Sequence, residues 1–94
     1  MIPPNLMHRI SVAPMFDVTD VHFRFFFRLL TRYTTLWTEM LHFNSILVPN
    51  AKGYNNLKFN NIEHPVVVQL GGSNPENLAE CAYRAWKEGY DEIN

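Results

Sequence analysis

Apolar and polar positions divide the chain into short β-like runs separated by helical ones. Ile10-Ser11-Val12-Ala13 is brief and apolar, and Pro14, which has no N–H to give to a sheet ladder, ends it. A buried strand is expected there, then a turn through Met15 and Phe16, then a helix capped by Asp17 or Thr19. The helix is predicted from about Asp20 to Arg32. In it Phe23, Phe26, Phe27 and Leu30 recur at i, i+3, i+4 and i+7, the mark of one buried face. Phe25 and Leu29 widen that face. Arg24, Arg28 and Arg32 make a second stripe, four residues apart, expected to be a solvated face and not a phosphate site.

Leu36-Trp37-Thr38-Glu39 predicts a second short strand, and Leu41 to Val48 a short helix ended by Pro49. Residues 50–64 are polar and predict a loop, with some extended structure around Leu57 to Phe59. Pro65 to Leu70 is a continuous β-branched run without alternation, as in a strand buried on both faces of a parallel sheet. Gly71-Gly72 turns the chain. Ser73 or Asn74 caps a third helix with Pro75 at its first position, and Gly89 stops it. Leu78, Ala82, Ala85 and Trp86 form its expected inward face. A fourth strand opens at Tyr90 or Asp91.

Strand starts thus fall roughly 25 to 30 residues apart, the period of βαβ units. The order β-α-β-α-β-α-β predicts three and a half units of an α/β fold, where an eight-unit barrel needs about 250 residues. Residues 1–9, with Pro3-Pro4, form an irregular lead-in, and residues 10–94 one α/β domain. Running out inside a strand is what truncation of a longer protein would leave. Ligands of such folds sit at the carboxyl ends of the strands. Pro14, Met15 and Phe16 after the first strand, and Gln69 at the end of the third, are therefore candidate contacts. The competing reading of Gln69 is a satisfied buried strand end. Glu39 is expected to form a structural ion pair with an arginine such as Arg24.

Composition narrows the function. With 47% hydrophobic and 18% charged residues the chain has the make-up of a globular domain. A net charge of −1 excludes a global basic field for nucleic acid or anionic membranes. The single cysteine, Cys81, forbids an internal disulfide framework and is expected to be a core residue. His8, His22, His42 and His64 have no metal-ligand spacing, so no metal site is expected. No membrane-spanning run or secretory leader is visible, and a cytoplasmic protein is expected, with an organelle left open.

Several strings then stand in the order and spacing of a known family. Ser11-Val12-Ala13-Pro14-Met15 is followed by Thr19-Asp20 leading to Phe23-Arg24, and then by Thr38-Glu39-Met40. His64-Pro65-Val66 through Gln69-Leu70-Gly71-Gly72 comes next, and Gly89-Tyr90-Asp91-Glu92-Ile93-Asn94 last. Together they resemble the N-terminal part of tRNA-dihydrouridine synthases, most closely the A-type subfamily. The resemblance implies that residues 10–94 are the N-terminal half of a (β/α)8 TIM barrel, a partial barrel domain of an enzyme that binds FMN at the barrel mouth, takes electrons from NADPH and reduces the C5=C6 bond of uridines in tRNA. It implies FMN contacts at Pro14, Met15, Phe16 (through its backbone more than its ring) and Gln69. It also implies an acid cysteine in a Gly-Cys-Pro string that these residues do not contain. No catalytic residue is therefore expected within the chain, and alone it is expected to be inactive. The alternatives are a catalytically inactive remnant that binds RNA or protein, and another FMN barrel reductase of dihydroorotate type.

Overall fold

Val66, Val67 and Val68 are fully buried and lie in the central strand of a parallel sheet. The structure is a computed structural model that describes residues 10–16, 18–47 and 57–94. Its elements are α1 (Val21–Leu30), β1 (Leu36–His42), α2 (Phe43–Leu47), a 3-10 turn (Asn61–Glu63), β2 (Val66–Gly71), α3 (Pro75–Glu88) and β3 (Glu92–Ile93). The sheet order is β1-β2-β3, with both pairings parallel. Residues 10–12 extend it beyond β1 through a parallel bridge between Ser11 and Thr35. Strand order thus follows chain order and each crossover carries a helix, the arrangement of a partial (β/α) barrel. The lead-in at residues 1–9, the proposed cap Asp17, the stop at Pro49 and most of the polar loop lie outside the described residues.

The main core lies on the helix-facing side of the sheet. Leu41, Leu57, Val66, Val68, Ala85 and Tyr90 are buried together there, with Ile46, Phe59 and Leu70 at their edge. The Tyr90 hydroxyl donates to the Leu57 carbonyl at 3.0 Å, satisfying a polar tip that would otherwise be buried alone. Asn74 caps α3 by accepting the N–H groups of Glu76 and Asn77, and Gly89 ends it at φ 99°.

Four expectations need correction. The first strand is reduced to one bridge, with Ile10 at 70% exposure, because among the described residues nothing lies on its outer side. Strand Leu36–Glu39 runs on to His42, and the following helix starts at Phe43 instead of Leu41. Trp86 points outward at 67% exposure, beside Tyr83. Small side chains, Cys81 and Ala85, let α3 settle close to the sheet, and the neighbouring position then turns away.

The fourth correction is the largest. α1 is rotated relative to the expected helix: Arg24 and Arg28 are buried, while Phe26, Leu29 and Leu30 are 61 to 70% exposed. Arg24 Nε donates to Glu63 and its Nη1 donates to the Thr19 carbonyl at 2.8 Å. Arg28 Nη2 donates to the carbonyls of Glu63 and Pro65, and its Nη1 to that of Thr31. A guanidinium offers five donors, and here the Nη groups of both arginines satisfy carbonyls next to α1 and at the start of β2. The Phe23–Phe27 and Arg24–Arg28 stripes share one period, so spacing alone does not decide which turns inward. The partner that decides it, Glu63, stands far along the chain.

Candidate functional site

The carboxyl end of the sheet gathers the candidate ligand residues. Four residues beyond the Ser11–Thr35 bridge the chain reaches Met15, and three beyond the Leu36–Val66 pair β2 reaches Gln69. All the strands run in one direction, so the Pro14-Met15-Phe16 segment and Gln69 leave the sheet at the same end, with β1 between them. Met15 is 41% exposed, Phe16 is 75% exposed, and Pro14 and Gln69 are half-buried.

The Met15 turn is held from within. Its carbonyl accepts the N–H groups of Val18 and Thr19, each at 3.0 Å, while Thr19 Oγ1 bonds both its N–H and its carbonyl. Asp20 then caps α1 by accepting the Phe23 N–H at 2.8 Å. The cap is therefore Asp20, displacing the expected Thr19, which is spent on Met15.

β1 contributes a feature that the apolar pattern did not disclose. Its register against β2 steps from Trp37↔Val67 to Met40↔Gln69, so β1 carries one extra residue, a bulge, at Thr38-Glu39. The bulge brings Met40 level with Gln69. Met40 is 52% exposed, and a Cβ at Gly71 would come within 2.9 Å of its sulfur. Glycine at that position is what lets Met40 lie against β2.

Glu39 lies within β1 at the bulge and shares a small cleft with Asp20, Arg24 and Lys58. The carboxylate that Arg24 holds is Glu63, not Glu39 as expected. Glu63 is fully buried: its Oε1 accepts from Arg24 and its Oε2 accepts from the Asn60 N–H and Nδ2. An Asn followed three residues later by Glu is a turn-opening signal, and it was there to be seen at Asn60 and Glu63. Burial pushes the Arg28 guanidinium below its ordinary value, opposed by the carboxylates of Glu63 and Asp91.

Cys81 is fully buried on α3, and burial pushes its thiol up. It faces the core and not the rim. Among the described residues no group of three or more His, Cys, Asp or Glu side chains converges as a metal site would. No helix among them is long and apolar enough to cross a membrane.

Comparison with known proteins now adds to this geometry. Residues 11–94 match the family model described as dihydrouridine synthase. The chain belongs to the dihydrouridine synthase family. A tRNA-dihydrouridine(20/20a) synthase of Vibrio parahaemolyticus is 55% identical over 86 residues, which cover 92% of this chain and 26% of that protein. Proteins of the same name from Pseudomonas aeruginosa and Salmonella typhi are 48% and 52% identical, over 98% and 93% of this chain and 27% and 25% of their own lengths. The A-type subfamily resemblance agrees with these relatives. The chain spans about a quarter of the length of the curated relatives it matches. Within the dihydrouridine synthase family, the parallel β/α order seen here is that of the barrel's strands and crossover helices.

Proposed function

We propose that this chain carries part of the ring-gripping rim of a tRNA-dihydrouridine synthase, an enzyme of the cytoplasm that reduces uridine in tRNA with FMN and NADPH. The single observation that supports the reading most is that the family match runs through both rim segments, Pro14-Met15-Phe16 and Gln69, which leave the sheet at one end.

The residues present fit a flat, amphipathic ring. Met15, Phe16 and Met40 offer exposed apolar surface, and sulfur is a soft, polarizable partner for an aromatic plane. Gln69 brings an amide that both donates and accepts, as a ring edge of alternating N–H and C=O requires. The cradle at Gly71 keeps Met40 close to β2. When bound, FMN supplies the hydride that the uridine C5=C6 bond takes up. The residues of this chain bind and orient: the two methionines exclude water from one side of the ring, and Gln69 sets its rotation. Cys81 is no candidate for the acid, because it is fully buried on α3.

The test is a full-length chimera. Residues 10–94 of this chain replace the matched segment of the Vibrio parahaemolyticus relative. The chimera should purify with a near-stoichiometric flavin absorbance band and, given NADPH, form dihydrouridine in tRNA that lacks it. Gln69→Ala should lower flavin content. A folded chimera without flavin, or one that holds flavin and leaves tRNA uridines unchanged, refutes the reading. The 94-residue chain alone should be inactive on tRNA.

A further inference from the structure

We propose that Thr19 and Thr38 are paired positioning residues, each fixing through its hydroxyl the backbone of one of the two rim segments, Met15 and Gln69. The inference rests on the flavin reading of the rim given above.

Both threonines are buried, at 0% and 1% exposure, where a hydroxyl is costly unless bonded. Each hydroxyl both accepts and donates. Thr19 Oγ1 accepts the Met15 N–H at 3.0 Å and donates to the Met15 carbonyl at 3.1 Å. The polar backbone of Met15 is thereby used internally, and the rim presents the side chain alone. Arg24 secures the other side of this clamp, since its Nη1 donates to the Thr19 carbonyl.

Thr38 acts at the bulge. Its Oγ1 donates to the Glu39 carbonyl at 2.8 Å and accepts the Gln69 N–H at 3.0 Å. In an unbroken ladder that N–H would take a carbonyl of β1. The extra residue removes that partner, and the hydroxyl replaces it. Were the register continued unshifted from Trp37↔Val67, Met40 would fall opposite Leu70 and turn to the face away from Gln69. One hydroxyl therefore sustains the register that sets Met40 and Gln69 side by side.

Valine removes each hydroxyl at nearly constant shape, and serine restores it. In this chain, Thr38→Val should speed hydrogen exchange at the Gln69 amide by about tenfold or more, and Thr19→Val should do the same at Met15. Amides of α3, such as that of Ala85, should stay protected. In the chimera the same valine variants should weaken flavin binding by about tenfold, while Thr19→Ser and Thr38→Ser stay within about threefold of the parent. The proposal is overturned if the valine variants keep parental flavin affinity, if serine loses as much as valine, or if the Gln69 amide is unprotected in the parent. A parent chimera without flavin refutes the rim reading itself. A flavin-bound parent with indifferent valine variants refutes only the positioning role.

Discussion

The Nε–H of Arg24 donates to Glu63 Oε1 at 2.5 Å, and both side chains are sealed from solvent. The pair joins the first helix to the turn that launches the central strand. It also reaches the rim, because Arg24 holds the Thr19 carbonyl and Thr19 holds Met15. Removing one member strands the other charge in a dry setting, which is far costlier than losing an exposed pair.

Glu63→Gln and Arg24→Ala should each destabilise the protein by about 3–5 kcal/mol. The exposed Arg84–Glu80 pair on α3 is the control, and Arg84→Ala should shift stability by no more than about 0.5 kcal/mol. Urea unfolding curves make the comparison. Equal costs at Arg24 and Arg84 would contradict a buried role for Arg24.

Two glycines should respond differently to alanine. Gly89 sits at φ 99°, where a side chain is strained, so Gly89→Ala should cost about 1–2 kcal/mol and Gly89→Asn less. At Gly71 the new Cβ would meet the flexible Met40 side chain at 2.9 Å. Thermal unfolding should therefore barely register Gly71→Ala, whereas flavin affinity in the chimera should fall as Met40 is displaced. A large loss of melting temperature at Gly71 would show that Met40 does not yield.

The buried thiol of Cys81 gives stability a pH dependence. Its folded-state proton affinity is raised, so the unfolded chain releases the proton first as pH climbs. This contribution is fully present below the ordinary thiol range, near pH 8.5, and is lost as pH rises through the higher folded value. Stability should fall more steeply between about pH 8 and pH 10 in the parent than in Cys81→Ala. Parallel curves for the two proteins would rule out the effect. Alkylation of Cys81 should be slow in buffer and fast in urea.

Phe26 and Leu29 face solvent on α1, which fixes the sign of a fourth expectation. In this 94-residue chain, Phe26→Gln with Leu29→Gln should change unfolding free energy by no more than about 0.5 kcal/mol per site and raise solubility. A loss of several kcal/mol would place them in a core after all. The same double change in the chimera would reveal whether other parts of the barrel cover that face.

Local signals survived the passage from sequence to structure. The uninterrupted valines predicted a doubly buried parallel strand, and Asn74, Pro75 and Gly89 marked both ends of α3 within a residue. The alternation of strands and helices predicted an α/β fold, and the family resemblance added the partial barrel. Those features depend on backbone chemistry within a few residues, which a sequence states directly. The rim segments were also legible by position, because parallel strands must all point their carboxyl ends one way.

What the chain alone determined, then, is which segments are strand, helix and turn, and the direction in which they run. Tertiary structure alone decided that Arg24 and Arg28 turn inward, that Trp86 turns outward and that Thr38 bridges a bulge to Gln69. Each of those outcomes hangs on a partner roughly 30 or more residues away, or on a face left without a neighbour. Periodicity records how residues recur along one element, but burial of a charge is settled by where its counter-charge and its carbonyl acceptors arrive in space.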